Sequence, residues 1–300
     1  MSTMIESLQR AARRLLVGGL GLAVVAMVII WSWPGAGTVF EIALFTGTGV
    51  GLLGAAGIFL PVGDSTASVR DVHPPVAGRW LALNSPASRV PSHGTRSYGQ
   101  AYAIDLIHDP LPGAPSTRPV PGEGPGMRPA SDYPGFGQPV LAMVTGTVVR
   151  VTDGARDHRS RTRVWSLLYL YVEGALRDIA GTRQVLGNHI VVDAGDGCFA
   201  LVAHLARGSA LVRVGDRVEA GQPVGRCGNS GNSSEPHVHA QLMDRAEATS
   251  ARGLPLRFTG IRIDHTLPTD DTPPTGNAPL TDDAPLTDGL PATGQHLTTS

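Results

Sequence analysis

Two long runs without a charged residue near the N-terminus constrain this chain most strongly. The first run covers residues 15–31 and follows a cluster of arginines, and the second covers residues 42–62. Runs of 17 and 21 residues exceed ordinary core helices and are long enough to cross a bilayer. No small-residue cleavage site closes the first run. We therefore predict a membrane region over residues 1–64, with two transmembrane helices forming a hairpin.

The charge pattern leaves the topology of this hairpin open. Arg10, Arg13 and Arg14 precede the first run and predict a cytoplasmic N-terminus. Two crossings would then return the rest of the chain to the cytoplasm. Either the N-terminus lies outside the cell, or only the first run crosses and the second lies against the membrane or the protein.

Composition excludes two classes of function. The formal net charge of −1 gives no electrostatic reason to expect a nucleic-acid partner. Residues 212–222 carry the pattern V-x-x-G-D-x-V-x-x-G-Q, which is similar to biotinyl and lipoyl carrier domains. Those carriers attach their cofactor to a lysine, whereas all 24 positive residues of this chain are arginine. A carrier function is therefore excluded.

The two cysteines, Cys198 and Cys227, are too few for a disulfide framework and lack the spacing of a zinc knuckle. We expect both to be small core residues. A single disulfide between neighbouring strands stays open if the domain lies outside the cytoplasm.

Short apolar segments bounded by turn residues fill most of residues 65–265. Residues 187–193 and 198–205 are predicted to be two strands, because Asp196-Gly197 between them is a strong hairpin signal. Further strands are expected within 79–83, 137–142, 146–151 and 212–225. Strands this short predict a mainly β domain with a compact antiparallel sheet.

The predicted sheet is interrupted by an insertion at about residues 153–186. Its first part, 153–163, is highly polar, and residues 164–179 have the composition of an amphipathic helix. From residue 266 to 300 the chain is a degenerate repeat of Pro, Thr and Asp, which predicts a disordered tail. The tail contains Leu290-Pro291-Ala292-Thr293-Gly294, the L-P-x-T-G pattern of sortase signals. The hydrophobic stretch and basic end that such a signal needs are missing, so we interpret the match as chance repetition.

Three separated motifs carry the polar chemistry of the domain. His237 and His239 follow a Gly/Asn/Ser turn and lie one residue apart, so a strand would project both imidazoles from one face. That pair suits a metal ligand and a proton-transfer partner. His204, in Ala203-His204-Leu205, lies near a strand end. Asp105 follows a mostly apolar strand start and would need a partner if buried.

The order of these motifs resembles the lysostaphin-type (LytM-like) zinc endopeptidases, which cut peptide bonds in bacterial cell-wall peptidoglycan. The resemblance covers roughly residues 91–242. It implies that His204 and His237 are catalytic, and that Asp105 and His239 are ligands of one Zn²⁺ ion. It also implies a peptidoglycan peptide as substrate and a domain outside the cytoplasm, anchored in the cell membrane by the N-terminal helices.

One ligand departs from the family pattern. The usual H-x-x-x-D spacing would place a histidine at position 101, which is Ala101. His93, twelve residues before Asp105, and His108, three residues after it, are the alternatives. We favour His93, because a continuous strand would put His108 on the opposite face from Asp105. His93 can reach the metal only if residues 94–100 form a loop that folds back.

The missing histidine keeps a second class of function open. A degenerate, metal-free relative would bind or activate another cell-wall enzyme or a membrane complex. The substitution at Ala101 favours this alternative. The intact set of Asp105, His204, His237 and His239 favours the enzyme, because a binding module needs no such set.

Overall fold

The computed structural model describes residues 2–33, 37–58, 65–111, 114, 117–119, 125–161, 177, 181–264 and 287–299. The chain divides into two units, Met1–Val62 and Gly63–Ser300. Most of the predicted helix at 164–179 lies outside the described residues, although Arg177 is helical.

The N-terminal unit consists of two apolar helices, α1 (Ser2–Ser32) and α2 (Gly37–Ile58). The segments Leu15–Ser32 and Gly37–Gly54 are both long and apolar enough to cross a membrane. Glycines allow the helices to pack closely: a Cβ atom on Gly19 would lie 2.4 Å from the Gly51 nitrogen. Large side chains such as Val24 and Phe45 remain exposed. The predicted helical hairpin is thus present as a pair of candidate membrane spans.

Over its described residues, the second unit contains sixteen short strands and little helix. The strands are β1 (Arg70–Val72), β2 (Arg79–Ala82), β3 (Ile104–His108), β4 (Met127–Arg128), β5 (Pro139–Leu141), β6 (Gly146–Thr152), β7 (Ser160–Arg161), β8 (Asn188–Asp193), β9 (Phe199–Leu205), β10 (Arg217–Val218), β11 (Pro223–Arg226), β12 (Val238–Met243), β13 (Gly253–Leu254), β14 (Leu256–Ile263), β15 (Thr287–Gly289) and β16 (His296–Thr299). The helix α3 (Thr182–Leu186) and the 3₁₀ helices Ser97–Tyr102, Ala130–Asp132 and Ala248–Ser250 connect them.

Twelve of these strands form one sheet in the order β1-β14-β16-β2-β3-β12-β9-β8-β6-β10, with β13 beside β12 and β15 beside β14. Two small sheets pair β11 with β5 and β4 with β7. The predicted mainly β, antiparallel fold is confirmed. The sheet contains one parallel pair, β1 with β14.

The middle of the sheet is its most deeply buried part. Every residue of β12 is buried, as are four of the five residues of β3. Apolar side chains such as Trp80, Leu106 and Phe258 pack in one cluster against this region. Burial of this apolar surface makes the central strands a rigid support, and they carry the candidate site.

The prediction of a disordered tail over 266–300 is wrong for its last part. Strand β16 lies inside the sheet and pairs with both β14 and β2. Leu297 is fully buried against the core, and the Ser85 hydroxyl donates to the Pro291 carbonyl at 2.6 Å. Backbone pairing on two sides and one buried leucine stabilise a segment whose composition alone indicated disorder. Residues 265–286 lie outside the described residues.

Both cysteines are free and buried. Cys198 is 2% exposed and Cys227 is fully buried. Burial raises the pKa of each thiol. The expectation of two core residues is met, and the disulfide that the sequence left open is not formed.

We predict that Leu297→Ala lowers the free energy of unfolding by about 2–5 kcal/mol, since it leaves a cavity in the core. The measurement is thermal unfolding of the full chain in detergent micelles. Leu211→Ala, at a leucine that is 59% exposed, is the matched control and should change stability by less than about 0.5 kcal/mol. Equal effects of the two variants would contradict the docking of β16.

Candidate metal centre

The register of two central strands brings an acid and a histidine together. His239 on β12 pairs directly with Asp105 on β3, and with Ala203 on β9. Opposite residues of an antiparallel pair project from the same face with their Cβ atoms about 5 Å apart. The His239 Nδ1 atom accordingly lies 2.9 Å from Asp105 Oδ1. Both side chains are buried, at 2% and 6% exposure.

His93 reaches the same carboxylate from the loop before β3. Its Nε2 atom lies 2.9 Å from Asp105 Oδ2. The chain folds back through Tyr98 and Gly99, whose φ angles of 59° and 73° are left-handed. Ala101, at the position where the family spacing expects a histidine, accepts a backbone hydrogen bond from Ser92 at 3.0 Å. The residue that replaces the expected histidine thus anchors the neighbour of His93.

His108 does not join this cluster. It lies on the same strand as Asp105 but packs against Trp80 in a tilted arrangement, with ring centroids 4.9 Å apart. Among the described residues, the potential ligand atoms that lie within 4.8 Å of one another belong to His93, Asp105 and His239. Side-chain alternation along β3 explains this difference, because residues three apart face opposite sides.

His237 and His204 stand beside the cluster. His237 Nε2 lies 3.6 Å from Asp105 Oδ1, while its Nδ1 donates to the Glu235 carbonyl at 2.8 Å. The His204 ring lies 4.6 Å from the His237 ring and 5.7 Å from the His239 ring, centroid to centroid. The five predicted site residues are therefore gathered at one place.

His204 reaches the site through an unusual backbone conformation. Ala203 pairs with His239, so regular alternation would point His204 to the opposite face. Instead, His204 has a φ angle of 61° at the end of β9, and this turns its ring back towards the cluster. Its Nδ1 donates to the Ser230 carbonyl at 2.8 Å. This leaves the Nε2 atom as the free nitrogen of the ring.

Burial and charge set the protonation states of the cluster. Burial raises the pKa of Asp105, but positive charge on His93 and His237 and hydrogen bonds from His239 and His93 outweigh it, so that its pKa lies well below its ordinary value. Burial, with the nearby charges of His237 and His239, holds the pKa of His204 well below that of free imidazole. Asp105 is therefore ionised and His204 neutral near pH 7.

For His239 the balance is the reverse. Burial lowers its pKa, but the hydrogen bond and negative charge of Asp105 outweigh burial, and the pKa is raised above the ordinary value. A single buried carboxylate thus faces two imidazoles and requires positive charge beside it. A metal ion or protons on the histidines would supply that charge.

The cluster forms the floor of a cavity of about 210 Å³. Its lining consists of Leu83, Asn84, His93, Gln100, Asp105, Val185, His204, Asn232, Ser234, Glu235, His237 and His239.

The polar first part of the insertion holds the turn that precedes His237. Asp157 accepts from the Asn229 amide at 2.8 Å, and His158 donates its backbone N–H to the Asn229 carbonyl at 2.9 Å. Arg161 donates its backbone N–H to the Ser234 carbonyl at 2.8 Å. Because Ser230 in this turn fixes the His204 ring, the insertion helps to set the site.

Several polar residues around the cluster were missed by the sequence analysis. Asn84 donates to Asp105 Oδ2 at 2.8 Å. Ser92 lies 3.0 Å from His93, and Gln241 lies 2.8 Å from His239. Gln241 is two residues after His239, so its position on the same strand face was readable from the sequence. Asn84 and Ser92 gave no such signal, since loops bring them to the site.

The residues present fit a zinc ion. Two imidazole nitrogens and a carboxylate oxygen are the donor types that zinc prefers, and a catalytic site uses three protein ligands with one open position. The three potential ligand atoms converge within 4.8 Å of one another. The two imidazoles face a buried carboxylate, which a divalent cation would neutralise.

One family model matches part of this chain. Residues 172–251 match the model of the family described as Peptidase family M23. The matched segment contains His204, His237 and His239. It begins at residue 172, so His93 and Asp105 lie upstream of it. The resemblance to lysostaphin-type peptidases predicted from the motifs is confirmed by this match.

Solved structures of M23 proteins are also similar to this chain. The antimicrobial peptidase lysostaphin from Staphylococcus simulans is 21% identical, with 52% of this chain and 45% of that chain covered and a TM-score of 0.30. The chain therefore spans less than half the length of that lysostaphin. The catalytic domain of the prophage-encoded M23 protein EnpA from Enterococcus faecalis is 23% identical, with coverages of 49% and 93% and a TM-score of 0.27.

A solved pore-forming complex is similar to this chain with a comparable sequence identity and TM-score. The SpoIIQ–SpoIIIAH pore-forming complex matches at 18% identity, with 62% of this chain and 89% of that chain covered and a TM-score of 0.33.

Proposed function

We propose that this chain is a membrane-anchored zinc endopeptidase that hydrolyses peptide bonds of bacterial peptidoglycan. The observation that carries the proposal is the convergence of His93, Asp105 and His239, with His204 and His237 beside them in one cavity. These three would be the ligands of one Zn²⁺ ion. The peptidoglycan substrate follows from the resemblance to the M23 peptidases.

A zinc ion at this position would supply a Lewis acid and lower the pKa of a water molecule towards about 7. The remaining chemistry belongs to the side chains. His204 is neutral, and its Nδ1 is engaged by Ser230, so its Nε2 can take a proton from the attacking water. His237, held at Nδ1 by Glu235, presents Nε2 towards the same space. A proton on that atom would stabilise the oxyanion of the tetrahedral intermediate.

The cluster favours the enzyme over a metal-free binding module. Ala101 offers no ligand, but His93 contacts Asp105 and would fill the third position. A binding surface has no need of a buried carboxylate with two imidazoles, because burying such groups costs stability. The alternative module remains an outcome of the metal measurement below.

We predict that the wild-type chain binds one zinc ion, that His93→Ala and His239→Ala lose it, and that His108→Ala retains it. A site with two protein ligands binds zinc weakly. The measurement is zinc stoichiometry by elemental analysis of the purified full chain.

His108→Ala is the matched control, since His108 lies on the same strand as Asp105 and outside the cluster. Loss of zinc in His108→Ala alone would transfer the ligand role to that residue. A metal-free wild type would make the chain a degenerate binding module.

We predict that His204→Ala and His237→Ala reduce hydrolysis of purified peptidoglycan by at least about 100-fold while zinc stays bound, because both residues act in proton transfer. His189→Ala is the control: this buried histidine bonds to the Gly187 carbonyl and lies outside the cavity lining. Loss of zinc in His237→Ala with retention in His239→Ala would reverse the two assignments.

The proposed substrate requires the second unit to lie outside the cytoplasm. Two candidate spans allow this arrangement if the N-terminus is also outside, or if only one helix crosses. The arginines before α1 favour the opposite topology. We give more weight to the location of the substrate.

We predict that Val214→Cys is labelled in intact cells by a membrane-impermeant thiol reagent, since Val214 is 63% exposed. The wild-type chain is the control, because its two buried cysteines should not react. Labelling only after lysis would place the unit in the cytoplasm and contradict a cell-wall hydrolase.

A further inference from the structure

The two candidate histidine ligands each have two ring nitrogens, and only one of them can face a metal ion. A neutral imidazole carries its proton on one nitrogen and a lone pair on the other. The hydrogen bond at the far nitrogen therefore decides which nitrogen is available to the metal. In this chain the partners at the far nitrogens are Gln241 and Ser92.

Gln241 determines that Nε2 of His239 carries a proton. It is fully buried, and its Nε2 donates to the Tyr98 carbonyl at 2.7 Å. A backbone carbonyl can only accept, so the amide nitrogen must face Tyr98 and the amide oxygen must face His239. That oxygen lies 2.8 Å from His239 Nε2, which must then carry the proton. Without a metal ion, His239 Nδ1 also carries a proton and donates to Asp105. When a metal ion displaces that proton, the lone pair of His239 is on Nδ1, because Gln241 keeps the proton on Nε2.

Ser92 determines, in the same way, that Nδ1 of His93 carries a proton. Its hydroxyl has one hydrogen, which it donates to the Ala103 carbonyl at 2.6 Å. The oxygen of Ser92 then accepts from His93 Nδ1 at 3.0 Å. His93 Nε2 lies 2.9 Å from Asp105 Oδ2 and donates to it when no metal is bound. When a metal ion displaces that proton, the lone pair of His93 is on Nε2. Ser92 is fully buried, so water does not compete for these bonds.

Gln241 also connects the two ligands. The Tyr98 carbonyl that it binds belongs to the left-handed turn of the loop between His93 and Asp105. A Cβ atom on the next residue, Gly99, would lie 3.1 Å from the Gln241 amide nitrogen. The loop therefore rests directly on the side chain that orients His239. One buried amide thus ties the unusual position of His93 to the strand that carries the other histidine.

We propose that Ser92 and Gln241 are positioning residues that fix the tautomers of His93 and His239, so that Nε2 of the first and Nδ1 of the second face the metal. This inference rests on the proposed zinc site.

The test is the zinc affinity of the full chain in detergent micelles, measured by competition with a chelator. Gln241→Met and Ser92→Ala should each weaken zinc binding by about 10–100-fold, as is usual for residues behind metal ligands. Gln241→Glu should recover part of the loss, because a carboxylate still accepts from His239 Nε2. A purely structural role predicts that Glu is no better than Met, since it would bury a charge against the Tyr98 carbonyl.

Ser233→Ala is the matched control. Its hydroxyl lies 3.0 Å from Nδ1 of His237, which is not a proposed ligand, so zinc affinity should be unchanged. A wild type that binds zinc while both Gln241→Met and Ser92→Ala bind it equally well would overturn this inference and leave the proposed function standing. A wild type that binds no zinc would overturn both.

Nitrogen NMR of the zinc-loaded chain, labelled with ¹⁵N in histidine, reads the tautomers directly and does not depend on the folding of any variant. His239 should be protonated at Nε2 and His93 at Nδ1. The reverse pattern at either residue would overturn the proposal.

Discussion

The site depends on the pairing of Asp105 with His239 across the two central strands of the sheet. The register of β3 and β12 places these residues opposite each other, and their side chains share one face. A one-residue slip would send one of them to the other face. The mostly buried strands around them fix this register, because such a slip would also expose the core. The buried carboxylate at this point raises the pKa of His239 above its ordinary value.

A loop brings His93 to Asp105, although the family spacing would place the histidine at position 101. Ala101 lies where the spacing expects a ligand, yet the loop of residues 94–100 returns His93 to Asp105. Left-handed conformations at Tyr98 and Gly99 make this return possible. Gln241 binds the loop at the Tyr98 carbonyl. The loop is thus held by the same strand that carries His239.

The sequence predicted those parts that depend on local pattern. The alternation around His237 and His239, the hairpin at Asp196-Gly197 and the two apolar runs all follow from period and length, and the structure has the corresponding elements. Strand β16 could not be predicted, because its stability comes from pairing with β14 and β2, which are distant in sequence. The orientation of the His204 ring towards the cluster depends on a left-handed backbone conformation that no residue pattern indicated.

The central claim is that His93, Asp105 and His239 hold one zinc ion. The most direct measurement is an anomalous difference map at the zinc absorption edge, from crystals of the full chain grown with zinc. The account predicts a single strong peak within about 2.0–2.2 Å of His93 Nε2, an Asp105 carboxylate oxygen and His239 Nδ1. A peak bound to His108 instead, or no peak at Asp105 with zinc present, would contradict it.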